Sequence, residues 1–221
     1  MQIQWFGQSC FKLIAKNADK TTTIITDPYH SEYGLKKLPR LSADIVTISH
    51  DHKDHSNSKA VKGTENHPDP YVISGPGEYE ISNVFIYGIS SWHDNKQGKD
   101  KGENIIYLMN VEKINIAHLG DLGQTELTDQ QLETMNNVDI LLIPVDGKYT
   151  LNAEQATKIV AQVEPRIVIP MHYKIPGLKL DFDSVDKFIK QMGGKAEELD
   201  KLRINKKDLP QEETKLIVLK P

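Results

Sequence analysis

Three histidines and two aspartates fall within six consecutive residues, His50-Asp51-His52-Lys53-Asp54-His55. Imidazole nitrogens and carboxylate oxygens suit zinc and related divalent cations. His50 and His52, two apart in an extended segment, can point the same way and grip one ion. Asp54 and His55 are adjacent, and a turn there faces them toward a second ion. A polar surface loop with clustered histidines is the alternative reading. Four residues cannot complete two sites, so further donors must follow strands elsewhere. His93 follows the apolar run 84–91, Asp121 ends His118-Leu119-Gly120-Asp121, and His172 closes the run 166–173. Donors that recur at strand ends are hard to explain by packing. Two ions about 4 Å apart can share a hydroxide and lower its pKa toward neutrality, which supplies a nucleophile without serine or cysteine. Asp54 can ligate and also orient that hydroxide, because a carboxylate has two oxygens.

The elements that must carry these donors can be read from the chain. Segments 3–7, 10–14 and 21–27 are β-branched or aromatic and read as strands, with breaks at Gly7 and at Asn17–Asp19. Segment 44–50 is almost continuously apolar, as a strand buried on both faces must be, and runs straight into the histidine cluster. A loop at the carboxyl end of such a strand is where open α/β folds place ligand sites. Strands at 71–74, 84–91, 105–111 and 114–120 form a meander, and Glu112–Lys113 is its tight turn. The polar stretch 94–104 reads as an exposed loop. Strands at 138–145 and 166–173 then alternate with helices over 127–137 (cap Thr128), 152–163 (cap Asn152) and 181–193, the last ending at a glycine pair. Segment 214–220 reads as a closing edge strand. This alternation indicates βαβ units and an α/β class. No linker interrupts residues 1–221, which are expected to form one domain.

Lys and Arg number 27 and Asp and Glu 31, for a formal net charge of -4, without the basic stripe that nucleic-acid binders carry. Nucleic acid is therefore a disfavoured partner. No apolar run approaches the ~20 residues of a membrane span, and no leader pattern opens the chain, so no membrane partner is expected. The single cysteine, Cys10, excludes an intrachain disulfide and a cysteine-built zinc site, and fits a reducing, cytoplasmic setting. Cys10 reads as a small buried hydrophobe, and Trp5 and Trp92 as core or rim packing. Oligomeric state is not legible.

The chain resembles the metallo-β-lactamase fold hydrolases. Their His-x-His-x-Asp-His signature is matched by His50, His52, Asp54 and His55. His93, Asp121 in its His-x-Gly-Asp context and His172 in Ile-Pro-Met-His match the later ligands. Trp-Phe-Gly-Gln-Ser-Cys-Phe at 5–11 and Thr26-Asp27-Pro28 are also typical, so the likeness runs from about residue 3 to residue 175. The closer likeness is to a compact branch that includes a sugar-acid phosphate lactonase, and the long arm of transfer-RNA 3′-processing nucleases has no counterpart here. The resemblance implies a four-layer αββα sandwich of the metallo-β-lactamase type with a two-metal cleft at one edge. It assigns His50, His52 and His93 to one ion, and Asp54, His55 and His172 to the other. Asp121 bridges the two.

The expected activity is that of a dinuclear metal-dependent hydrolase. Its two divalent ions are read as Zn2+, with Mn2+ or Fe as alternatives. It cleaves an ester, lactone or phosphoester bond in a small molecule through the bridging hydroxide. The catalytic residues are read as Asp54, Asp121 and His118, the last as a proton donor, with a buried hydrogen-bonded histidine as the alternative for His118. Asp27 reads as a hydrogen-bonding support of the metal loop, or as a turn residue. Lys148 is offered as a partner for an anionic substrate and Tyr149 as a stacking group, with plain solvation as the alternative. His30 lines the cleft mouth or belongs to the surface, and His67 is surface. Asp139 starts a strand and Asp146 forms a turn. Two rivals remain: a nuclease or phosphodiesterase on the same fold, which needs a basic, open groove, and an iron-binding redox or sensor protein. A β-lactam substrate is not expected, since enzymes acting on those are exported.

Overall fold

The computed structural model describes residues 1–17 and 20–221, so the break read at Asn17–Asp19 lies partly outside the described residues. The first part of the chain runs through β1 (Gln2–Trp5), β2 (Phe11–Asn17), β3 (Lys20–Thr26), β4 (Leu41–Ser42), β5 (Ile45–Thr47), β6 (Val61–Lys62) and β7 (Tyr71–Ile73). The second part continues as β8 (Gly77–Ile81), β9 (Val84–Trp92), β10 (Glu103–Val111), β11 (Ile114–His118), α1 (Asp129–Thr134), β12 (Ile140–Pro144), α2 (Ala153–Val163), β13 (Ile167–Met171) and α3 (Val185–Gln191). The short strands β14 (Glu197–Leu199) and β15 (Leu202–Arg203) precede β16 (Lys215–Leu219).

Two sheets face each other. One has the order β15-β1-β2-β3-β5-β7 and the other β14-β16-β13-β12-β11-β10-β9-β8. Each is antiparallel at one end and parallel at the other. In the first sheet β1, β2 and β3 are antiparallel neighbours, and β5 and β7 add parallel to them. In the second the meander β8–β11 is antiparallel, and β12, β13 and β16 add parallel. This is the metallo-β-lactamase sandwich.

Side chains of a strand alternate between faces, and that alternation builds two cores. Ile24 of β3 and Ile45 of β5 point between the sheets, where Trp5, Phe11, Met109 and Leu142 join them. Their neighbours Ile25 and Val46 point outward, under Leu35, Leu38 and Phe182. The cover on that side is made of irregular chain around 29–41 and 178–182, while α2 and α3 supply Ala156, Ile159 and Phe188 to the core on the far side of the second sheet. Tyr107 spans the gap between sheets, its hydroxyl donating to the carbonyls of Ile48 at 2.9 Å and Ile73 at 3.1 Å.

The caps lie at the predicted residues. Thr128 and Asn152 each accept the N–H three residues on, and Gln131 and Gln155 reach back to close capping boxes. The helix read from 181 begins only after Ser184. The backbone of Asp183 is taken elsewhere, its N–H donating to Asp146 O at 2.8 Å and its carbonyl accepting from Lys174 N at 2.9 Å. The end is as read, since Gly194 N donates to Ile189 O across a left-handed Gly193. Segment 214–220 is not an edge. β14 pairs along its outer side, with Glu197 and Glu198 bridged to Lys215 and Lys220, and a three-residue polar strand leaves no periodic signal. β8 was likewise not legible, and it pairs with β9 through the left-handed pair Ser82–Asn83. Among the described residues no helix is long and apolar enough to cross a membrane.

Candidate metal centre

Six strand ends converge at one edge of the sandwich: Asp27 follows β3, His50 follows β5, and His93, Asp121, Asp146 and His172 follow β9, β11, β12 and β13. Backbone bonds stitch the two sheets here, from Ile105 N to Ser49 O at 2.9 Å and from His172 N to Gln8 O at 3.1 Å. Asp27 and His172 both hold left-handed backbone, at φ 37° and 53°. Such conformations persist only where surrounding contacts enforce them. Gly120 meets a different demand, because a Cβ there would stand 2.4 Å from Asn104 Oδ1.

The structure brings all seven predicted donors together. Oδ2 of Asp121 lies 3.9, 3.2, 3.4 and 3.5 Å from Nε2 of His50, His55, His93 and His172. Nδ1 of His52 lies 3.0 Å from Nε2 of His50. Donor atoms of His50, His52 and His93 fall within 4.8 Å of one another, and so do those of Asp54, His55 and His172. Two donors on one tetrahedral ion with bonds of about 2.0 Å stand about 3.3 Å apart, which is the scale seen here. Asp54 Oδ2 sits 3.8 Å from Nε2 of both His55 and His172.

The outward ring nitrogens fix the tautomers. His55 Nδ1–H donates to Asp27 Oδ2 at 2.9 Å, and His172 Nδ1–H donates to Asp146 Oδ2 at 2.9 Å. Ser49 Oγ–H donates to Asp27 Oδ2 at 2.6 Å, which leaves that hydroxyl oxygen to accept from His50 Nδ1 at 3.0 Å. In each case the Nε2 lone pair faces the cluster, the arrangement that prepares imidazole for a metal. Nε2 of His55 is fully buried and makes no hydrogen bond despite the nearby Asp121 carboxylate. A buried ring nitrogen without a hydrogen-bond partner, amid imidazoles and two carboxylates, fits divalent cations.

Electrostatics point the same way. Burial alone would raise the carboxyl of Asp121, but His172 and His55 hold it well below the usual carboxylate range. Burial likewise opposes the charge on Asp54, and a hydrogen bond to His172 together with His55 outweighs it. Burial would depress His172, yet Asp121, Asp146 and Asp54 push it up to about 10. His55 is raised well above its ordinary value against the same burial, by Asp121 and Asp27. His50 goes the other way, down to about 3, through burial and the neighbouring His55.

The catalytic reading of His118 is corrected, and the alternatives at several other residues are decided. His118 is not at the cleft: it is fully buried, and its Nε2 donates to Ser9 O at 2.8 Å, so it cannot hand a proton to substrate. Lys148 turns away to Asp181, 3.7 Å distant, and His30 is an exposed surface residue. Tyr149 does line the cleft. Asp27 is a buried support, accepting from Ser49 N at 2.7 Å in addition to Ser49 Oγ and His55. Asp146 forms the predicted turn, taking the N–H of Lys148 and Tyr149 at 2.6 Å each, and it also orients His172. That second role was available to sequence reasoning, since Asp146 follows a buried strand as the other donors do. Asn104 had no such signal. Its Oδ1 accepts from Asp121 N at 2.9 Å, while its Nδ2 donates to Ser91 Oγ and Leu119 O.

Replacing Asp27 by asparagine removes the charge and one of the two acceptor oxygens that hold Ser49 and orient His55, since only one amide oxygen remains. Losing such an outer partner is expected to weaken metal affinity about 10- to 100-fold. Competition against a chromophoric chelator measures this, and an unchanged affinity would deny Asp27 a part in the site.

The donors floor a cleft of about 570 Å³. Comparison with known proteins gives a consistent picture. The sequence profile described as Beta-lactamase superfamily domain matches residues 2–172. A UPF0173 metal-dependent hydrolase of Thermococcus onnurineus is 26% identical over 219 residues, covering 89% of this chain and 94% of that protein. A protein of the same description from Pyrococcus horikoshii is 25% identical over 220 residues, with the same two shares. A crystal structure from Thermotoga maritima, described as a Zn-dependent hydrolase of the metallo-beta-lactamase superfamily, is 34% identical. It superposes with a TM-score of 0.78, covering 99% of this chain and 97% of that one.

Proposed function

Since this chain belongs to the beta-lactamase superfamily and is a metal-dependent hydrolase, we propose that it is a dinuclear enzyme that cleaves an ester, lactone or phosphoester bond in a small molecule. The observation that carries this reading is the convergence of two donor triads on the Asp121 carboxylate at the floor of one cleft. His50, His52 and His93 would hold one cation, Asp54, His55 and His172 the other, with Asp121 between them. Bound there, the cations supply Lewis acidity toward the scissile group and lower the pKa of the attacking water. Zinc is the favoured metal, because five imidazoles and two carboxylates form a nitrogen-rich set without thiolate.

The chain's own groups do the rest. Asp54 is partly open to the cleft, with its side chain 18% exposed, so its carboxylate can orient the water and accept its proton. Asp27 and Asp146 keep His55 and His172 in the tautomer that leaves Nε2 free. The walls comprise Lys53, Lys101, Tyr33, Tyr149, Leu180 and Phe182. Both the volume and the largely apolar walls suit a small organic substrate, for which pockets of roughly 300–1,000 Å³ are usual. A nuclease would need a basic groove, and one of the two lysines here is paired with Glu32 at 3.3 Å. A buried, unpaired Cys10 supports a reducing, cytoplasmic setting.

The test is a hydrolysis panel of lactones, thioesters and phosphodiesters, run on protein of measured metal content before and after chelation. Turnover of at least one class, lost on stripping and restored by Zn2+, is the expected result. A protein that retains no transition metal, or whose hydrolysis ignores chelation, would falsify the reading; iron as the retained metal without hydrolysis would favour the redox alternative.

A further inference from the structure

Composition reads 94–104 as an exposed loop, and most of its side chains are exposed, but its backbone is wound about the buried carboxylate of Asp94. Oδ1 of Asp94 accepts the N–H groups of Lys96 and Gly98 at 2.7 and 2.9 Å, and Oδ2 those of Asp100 and Lys101 at 2.9 and 2.8 Å. Gly102 closes the base, donating to Gly98 O at 2.9 Å and accepting from His93 N at 3.1 Å. Four backbone donors on one carboxylate make a rigid loop, so the side chain it presents at its end is held in place.

That side chain is Lys101, which lines the cleft. Its ammonium donates to the Tyr149 carbonyl and stands 5.4 Å from the centre of the Tyr149 ring. The loop carrying Tyr149 is itself wound on Asp146, which also takes the Thr150 hydroxyl at 2.6 Å. Two loops, each fixed on its own aspartate, thus clasp one cation at the wall of the cleft. The other lysine of the cleft, Lys53, has a carboxylate partner in Glu32. Among the described residues no carboxylate lies within 4.0 Å of the Lys101 ammonium, and an ammonium has three donors of which the Tyr149 carbonyl uses one. The same cleft holds an apolar shelf. Phe182 lies with its ring centre 4.8 Å from His172 and 5.7 Å from Tyr149.

We propose that Lys101 is the specificity residue of this cleft, receiving a carboxylate or phosphate group of the substrate while the apolar body of that substrate rests on Phe182 and Tyr149. The inference rests on the hydrolase reading of the metal centre and adds the substrate class, organic anions with a flat or branched apolar part. It also moves the anion contact from Lys148, which pairs with Asp181, to Lys101, distant along the chain but adjacent in space to Tyr149.

The probes are benzoate and its three dicarboxylate counterparts, phthalate, isophthalate and terephthalate, titrated by calorimetry into Zn2+-loaded protein. One carboxylate engages the metals and the second reports on Lys101. At least one dicarboxylate is expected to bind about 10- to 100-fold more tightly than benzoate, the size of one charge-assisted hydrogen bond. Lys101→Met should bring that ratio close to one, and Lys101→Arg should restore it. With carboxylate-bearing aryl esters, Lys101→Met should raise KM more than it lowers kcat. Repeating the series with phenyl phosphate and its carboxylated forms separates a phosphate handle from a carboxylate one. A ratio near one in the wild type, or a ratio that Lys101→Met leaves unaltered, overturns the inference while the metal centre stands. A protein that retains no metal removes the metal-centre reading and this inference with it.

Discussion

Asp121→Ala is expected to lower turnover of every cleaved compound by about 1,000-fold or more, because the paired metals of the proposed mechanism would supply several kcal/mol of transition-state stabilisation that the variant could no longer assemble. The reason is geometric. One oxygen of Asp121 stands within 3.2–3.9 Å of the Nε2 atoms of His50, His55, His93 and His172, two from each side of the cluster. Among the described residues no other carboxylate reaches both triads, since Asp54 approaches only His55 and His172. Removing it also strips His55 and His172 of their strongest counter-charge. Metal content should fall with activity, to one ion or fewer per chain by elemental assay. The position itself should survive, because Asn104 holds the Asp121 backbone N–H and not its side chain. Asp121→Asn, which keeps the shape and removes the charge, separates a folding defect from a lost ligand. Undiminished hydrolysis in Asp121→Ala, with both metals retained, would remove the bridging role from the mechanism.

How much of this could be read from the chain depends on the range of the interaction. Strand β3 was legible as a β-branched run and β5 because burial on both faces demands nearly unbroken apolar residues, and the structure shows Ile24 and Ile45 on one side with Ile25 and Val46 on the other. The donors were legible because they share a local rule, a polar residue directly after a buried strand. His118 broke that rule in the other direction. It lies within β11, and its partner Ser9 is 109 positions away, so nothing nearby announced its burial. The exposed reading of 94–104 holds for most of its residues, but the order within the loop was not legible, for a related reason. Its composition is that of a free loop, but one carboxylate can order four backbone N–H groups without any apolar residue. Lys101 and Lys148 are equally plausible as anion receivers by type, and only the folded arrangement, with Asp181 beside one and Tyr149 beside the other, distinguishes them.

Metal removal should destabilise the protein most at alkaline pH. Without cations, His172 titrates at about 10 and His55 well above its ordinary value, so both carry protons at pH 7. A metal can use only neutral imidazole, so loading at pH 7 must expel about two protons per chain. Calorimetric titration in buffers of different ionisation enthalpy counts them. The same shifts set the pH dependence of the stripped form. A histidine whose folded pKa is raised stabilises fully below its unfolded value near 6.5 and loses that contribution as pH climbs through the folded pKa. His55 and His172 therefore make stripped protein lose stability from about pH 6.5 to 10. On the acid side His50, lowered to about 3 by burial and His55, acts in the opposite sense, since its unfolded form takes up a proton that its folded form refuses. His93 and His118, also lowered chiefly by burial, act with it. The carboxylates Asp27, Asp121 and Asp146 are depressed and stay ionised throughout the upper window, contributing no slope there. Stripped protein is thus expected to melt highest near pH 6–7. In the loaded protein cations replace those protons, so the alkaline decline should vanish. With free metal at a thousand times its Kd, loading is worth about 4 kcal/mol, or roughly 8–16 °C in Tm for a chain of this length. The gap between loaded and stripped forms should widen from pH 6.5 toward pH 9. Scanning calorimetry across that range decides it, and a gap that stays constant or narrows would mean that metals and protons do not compete for His55 and His172.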